Sequence, residues 1–239
     1  MKTYKGIFLF IGFVAAIAIF IACPASALMI SFTGSNGLSG TADFTFSGAT
    51  LNILLTNTST GVPFGFSNSD QLLTSIAFDL PGLMTITGGS VLVGTGSTTI
   101  NFDTGTYPAG SNISGEWGYG NSGTTGFGSL VNFVSANQSG TTAFPGANLD
   151  GPAVLDGPQG GLTNGIVALG GLGAVQNSVY ISLNLSGSLT DLSFLSNGAV
   201  IEFGSDAAFV RRVPEPGILI LLGIGMTAVG IASRRMRKI

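Results

Sequence analysis

Over residues 28–210 the structured-looking stretches alternate apolar and polar side chains one by one, and a period of two restricts them to half-buried β-strands. Residues 179–185 are the clearest case: Val179, Ile181, Leu183 and Leu185 share one face, and Tyr180, Ser182 and Asn184 share the other. Leu51, Ile53 and Leu55 repeat the pattern after a Ser47-Gly48 turn that follows residues 41–46, which reads as a hairpin. Ile76, Phe78 and Leu80 line one face of a strand stopped by Pro81-Gly82. Residues 84–87 and 90–93 read as two short strands divided by Gly88-Gly89, and further short strands are expected at 99–102, 130–134, 199–203 and 207–210. The stretch 28–210 holds no convincing amphipathic helix. The expected fold is therefore mainly β: an antiparallel β-sandwich or jelly-roll-like body with Gly-rich loops, flanked by an N-terminal signal helix and a C-terminal transmembrane helix. Residues 95–165, dominated by Gly, Ser, Asn and Thr, are the part expected to be least regular.

Charge is divided unusually. Every Lys and Arg lies near an end of the chain, and residues 28–210 carry ten carboxylates and no basic residue, against a net charge of -3 for the whole chain. A body without cations cannot neutralise phosphates, which excludes nucleic-acid binding. The chain has no His, and its single Cys is Cys23. Imidazole bases, thiol nucleophiles in the body and the usual Zn ligand sets are thereby excluded, and no cofactor or metal is expected.

Residues 1–27 have the layout of a signal peptide: Lys2 and Lys5, an apolar core over 6–22, and a small-residue exit at Ala25-Ser26-Ala27. Signal peptidase is expected to cut after Ala27. An uncleaved anchor and a lipid-modified Cys23 are the alternatives.

Three features of the body invite a ligand. Glu116-Trp117-Gly118-Tyr119 sets the only Trp beside a Tyr, the pairing that covers the apolar face of a sugar, although such residues also serve as core plugs. Leu149-Asp150-Gly151-Pro152 recurs as Leu155-Asp156-Gly157-Pro158, and the carboxylates of Asp150 and Asp156 suit Ca2+ among loop carbonyls or simply build two turns. Gly118, Gly120 and Gly123 fit G-x-G-x-x-G but lack a following helix, so no dinucleotide site is expected. Sequons stand at Asn57, Asn112, Asn137 and Asn184.

The end of the chain has three parts. Val213-Pro214-Glu215-Pro216-Gly217 forbids a helix, residues 217–232 form an apolar stretch a little short for a comfortable bilayer span, and Arg234, Arg235, Arg237 and Lys238 hold the terminus in the cytoplasm. This layout resembles the PEP-CTERM class of exosortase-dependent bacterial surface proteins. The resemblance covers residues 213–239 and implies recognition of Pro214, Glu215 and Pro216 by a membrane-embedded exosortase. It further implies removal of the tail and release or transfer to the surface of a Gram-negative bacterium that makes extracellular polysaccharide.

Three parts are expected: a signal peptide at 1–27, an exported acidic domain at 28–210, and a sorting signal at 211–239. The expected function is that of a non-enzymatic cell-surface or extracellular-matrix protein of the biofilm kind. Its partners would be signal peptidase and exosortase during maturation, the inner membrane as precursor, and extracellular polysaccharide as a candidate contact. A carbohydrate- or Ca2+-binding surface module is the alternative, and a secreted polysaccharide hydrolase the next.

Overall fold

A computed structural model describes residues 27–60, 69–102, 105–137, 140–143, 149, 161–164 and 173–212. The expected signal helix and transmembrane helix lie outside these residues, and among the described residues no helix is long and apolar enough to cross a membrane.

The fold is mainly β and built from two sheets. The smaller contains β1 (Ala27–Thr33), β2 (Ser39–Ser47), β3 (Thr50–Asn57), β5 (Ile86–Val93) and β11 (Ser178–Leu185), in the order β1-β2-β3-β11-β5. Every neighbouring pair in it is antiparallel. The larger contains β4 (Leu73–Phe78), β6 (Thr99–Ile100), β7 (Gly118–Gly120), β8 (Asn132–Ser135), β9 (Leu162–Thr163), β10 (Ala174–Gln176), β12 (Ala199–Phe203) and β13 (Ala208–Arg211). Its main path is β13-β12-β4-β9-β10-β6, with β8 branching from β4 and carrying β7.

Alternation decides which sheet face is dry. In the smaller sheet Phe44, Ile53, Leu55, Val91, Ile181 and Leu183 are buried, while Tyr180 and Asn184 point outward. The buried face meets Ile76, Phe78, Val134, Leu162, Val175 and Ile201 of the larger sheet in one apolar cluster. Phe44 and Phe78 touch edge to face across it, with ring centroids 5.9 Å apart, the favoured geometry for an aromatic pair. Each such buried side chain contributes about 1.5–3 kcal/mol through removal from water. The larger sheet is covered on its outer face as well, where Phe127 and Leu130 of a loop pack on Ala77, Phe133 and Val200. Double coverage is why all of β4 and β12 is buried.

Three details differ from the sequence expectation. Residues 27–33 form an edge strand where no strand was expected. Val175 pairs with Leu162 in parallel, so the larger sheet is not wholly antiparallel. Residues 86–93 form one strand, because Gly88 and Gly89 continue it with φ of 153° and 155°. Only glycine takes that backbone readily, and a Cβ on Gly89 would stand 2.2 Å from the Ser182 carbonyl oxygen.

The edge of β5 is closed by other chain. Val93 N–H donates to Ser111 O at 2.9 Å, Ile113 N–H to Val91 O at 2.9 Å, and the Asn121 amide both donates to and accepts from Ile86, each at 2.8 Å. Such cover removes a template for unwanted strand pairing.

Candidate sorting site and the end of the sandwich that carries it

The last described residue, Arg212, donates its N–H to Ala199 O at 3.2 Å and forms an antiparallel bridge with Phe32 of β1. Ala199 opens β12 and faces Phe78, the last residue of β4, while Asn132, the first of β8, also faces Phe78. The chain thus leaves the body where β4 ends and where β8 and β12 begin. Because β1 runs antiparallel to the departing chain, its first residue, Ala27, lies further along the direction of exit. Five strand residues separate Phe32 from Ala27, about 17 Å at ~3.3 Å each. The five residue steps from Arg212 to residue 217 reach at most about 18 Å at full extension. Residue 217, where the apolar stretch begins, is therefore within reach of the level of Ala27, and the described chain at Arg212 runs towards the end of the sandwich where β1 begins.

Two cations stand where the described chain departs. Arg211 is exposed and Arg212 half-buried, and they are the only basic residues in 28–212. The opposite end carries a shallow cleft of about 290 Å³ lined by Ser35, Asn36, Leu38, Asp70, Gln71, Ala207 and Ala208.

Ala27 is exposed at the start of β1, paired with Thr45. Trp117 is fully buried in the main cluster, so its ring presents no face to a ligand. Tyr119 on β7 is half-buried against the same cluster. Ala25, Asp150, Asp156, Pro214, Glu215, Pro216, Arg234, Arg235, Arg237 and Lys238 lie outside the described residues. Among the described residues no group of three acidic, His or Cys side chains could hold a metal. Of the sequons, Asn57 and Asn137 are buried and Asn112 and Asn184 exposed.

A second polar centre escaped sequence reasoning. Glu202 is fully buried on the outer side of β12. Its Oε1 accepts from the Thr142 hydroxyl at 2.9 Å and Asp206 N–H at 2.8 Å. Its Oε2 faces Ser75 Oγ at 2.6 Å and Asn137 Nδ2 at 3.1 Å. Burial pushes the carboxyl above its ordinary range, and the bonds from Ser75, Asp206 and Thr142 oppose that shift. Ser75 Oγ has one proton, with Ser135 Oγ at 2.9 Å and Glu202 Oε2 both in reach. The cluster ties Asn137, Thr142 and the turn at 204–206 to the sheet. Its signal in the sequence was an acid inside an apolar strand, Ala199-Val200-Ile201-Glu202-Phe203.

Residues 212–238 match the family model of the PEP-CTERM protein-sorting motif. The chain carries a PEP-CTERM sorting signal. Neither a curated protein nor a solved structure matches it. The PEP-CTERM match starts at Arg212, a residue still hydrogen-bonded into the sandwich. It implies processing by an exosortase, a membrane-associated precursor and export to the cell surface.

Proposed function

We propose that the chain is an exported, non-enzymatic cell-surface or extracellular-matrix protein that matures by two cuts. Signal peptidase cuts after Ala27, and an exosortase acts at Pro214, Glu215 and Pro216, releasing or transferring an acidic β-sandwich. The observation that carries this reading is the PEP-CTERM match at 212–238, which begins at Arg212, a residue still hydrogen-bonded to Ala199 of the body. The course of the chain at Arg212, towards the end where β1 begins, supports it, since that end of the body then turns to the membrane and the opposite end turns outward. A formal charge of -10 over residues 28–210 keeps such a body soluble and off anionic surfaces once released. The non-enzymatic part of the reading rests on a body without His or Cys and on a buried carboxylate whose oxygens are all engaged.

The test is pulse labelling of the Glu215→Ala variant in its own host. Unprocessed precursor should collect in the inner membrane while the unaltered chain reaches the outside. Equal processing and export of the two chains would overturn the sorting assignment. Turnover on a panel of polysaccharides, lost on changing one carboxylate, would overturn the non-enzymatic one.

A further inference from the structure

We propose that the exit end of the sandwich seats on the outer surface of the inner membrane in the precursor, with Leu83 entering the headgroup region and Arg211 and Arg212 meeting lipid phosphates. Four large apolar side chains are exposed among the described residues, and two of them, Leu83 and Val131, are at this end. Leu83 is the extreme case at 99% exposed. It stands in the turn Pro81-Gly82-Leu83-Met84, closed by Met84 N–H to Pro81 O at 3.3 Å, where Gly82 has φ of 65°.

The loop holding Leu83 runs from Phe78, at the end of β4, to Ile86, which pairs with Leu185. Ser186 N–H donates to Thr85 O at 2.9 Å and fixes its far side. Val131 is tied to the same loop, since its N–H donates to Asp79 Oδ1 at 2.9 Å. A leucine held out on a short closed turn loses little on entering a lipid interface, and it removes apolar area from water there. Of the acidic residues at this end, Asp79 is engaged by Val131 and Asp191 Oδ1 by Ser193 N–H at 2.7 Å. Asp43, opposite Met29, is half-buried. Arg211 is the exposed cation that an anionic headgroup would meet, with the half-buried Arg212 beside it. A bilayer is the occupant because the chain on both sides of this end is apolar and only a few residues away.

The inference rests on reading the tail as a membrane span, and the test separates the two. The full chain carrying Cys23→Ala is made with a single new thiol at Leu83→Cys or, at the opposite end, Ala207→Cys. Each is labelled with an environment-sensitive nitrobenzoxadiazole dye and reconstituted in vesicles of zwitterionic and anionic phospholipid. The label at 83 should shift to the blue and be quenched by shallow nitroxide lipids, and the label at 207 should do neither. A chain that floats with the vesicles but shows the same water-like emission, or the same quenching, at both positions overturns the proposal alone. A chain that does not float with them overturns the membrane span and the proposal together.

Discussion

Replacing Glu202 with Ala tests whether the buried carboxylate holds the outer loops on the larger sheet. The four groups around it do not lose equally. Ser75 Oγ keeps Ser135 Oγ at 2.9 Å, and Asn137 Nδ2 keeps Thr142 Oγ1 at 2.9 Å and Gly204 O at 3.0 Å. The Thr142 hydroxyl proton and the Asp206 N–H have no other acceptor among the described residues. The buried Thr142 hydroxyl left unmade costs about 1–3 kcal/mol and the part-buried Asp206 N–H adds less, so the substitution should destabilise the body by about 1–4 kcal/mol. That is a large part of the ~5–15 kcal/mol typical of a folded chain. Urea titration of the exported body, followed by Trp117 emission and circular dichroism together, measures the change. A loss below ~1 kcal/mol, less than one orphaned donor, would refute the assignment of Glu202 as the hub of this cluster.

Raising pH should weaken the body through the same group. The folded state binds the Glu202 proton more tightly than the unfolded chain, so this contribution is fully present below the ordinary value of 4.5 and is lost as pH rises through the higher folded value. Glu202→Gln should flatten that part of a stability-against-pH curve, and an unchanged slope would count against it. Native Trp117 emission should be blue-shifted and resist acrylamide until the chain unfolds, because the only Trp is fully buried; red, readily quenched emission would place the ring outside the core. Gly89→Ala should destabilise by about 1–3 kcal/mol or more, since the new Cβ meets backbone that cannot swing aside, and a neutral result in the same urea titration would contradict the close approach to Ser182.

The strands that alternate cleanly were legible because a period of two needs no partner to be recognised. Residues 179–185 and 51–55 show it, and their buried faces are those the periodicity named. β1 was harder: Ser31 and Thr33 sit beside a Ser/Gly loop, and Ala27 reads first as a peptidase site. What makes residues 27–33 a strand is seven consecutive pairings with β2, the next strand along the chain. The Gly88-Gly89 pair reads as a break by propensity, and tertiary crowding against Ser182 turns it into a strand that only glycine can make.

The sequence by itself determined the sorting end, because Pro-Glu-Pro, an apolar stretch and an Arg-rich terminus act as consecutive chain read by membrane and enzyme. It also determined the acidic, His-free chemistry of the body, which is a matter of composition. Only the tertiary structure decided that the first and last described strands lie side by side, since this depends on the antiparallel bridge of Phe32 with Arg212 across 180 residues of chain. The same holds for Trp117 and Glu202. Their neighbours in sequence describe a Gly-rich loop and an ordinary strand, and it is packing from distant segments that takes water away from one and surrounds the other with donors.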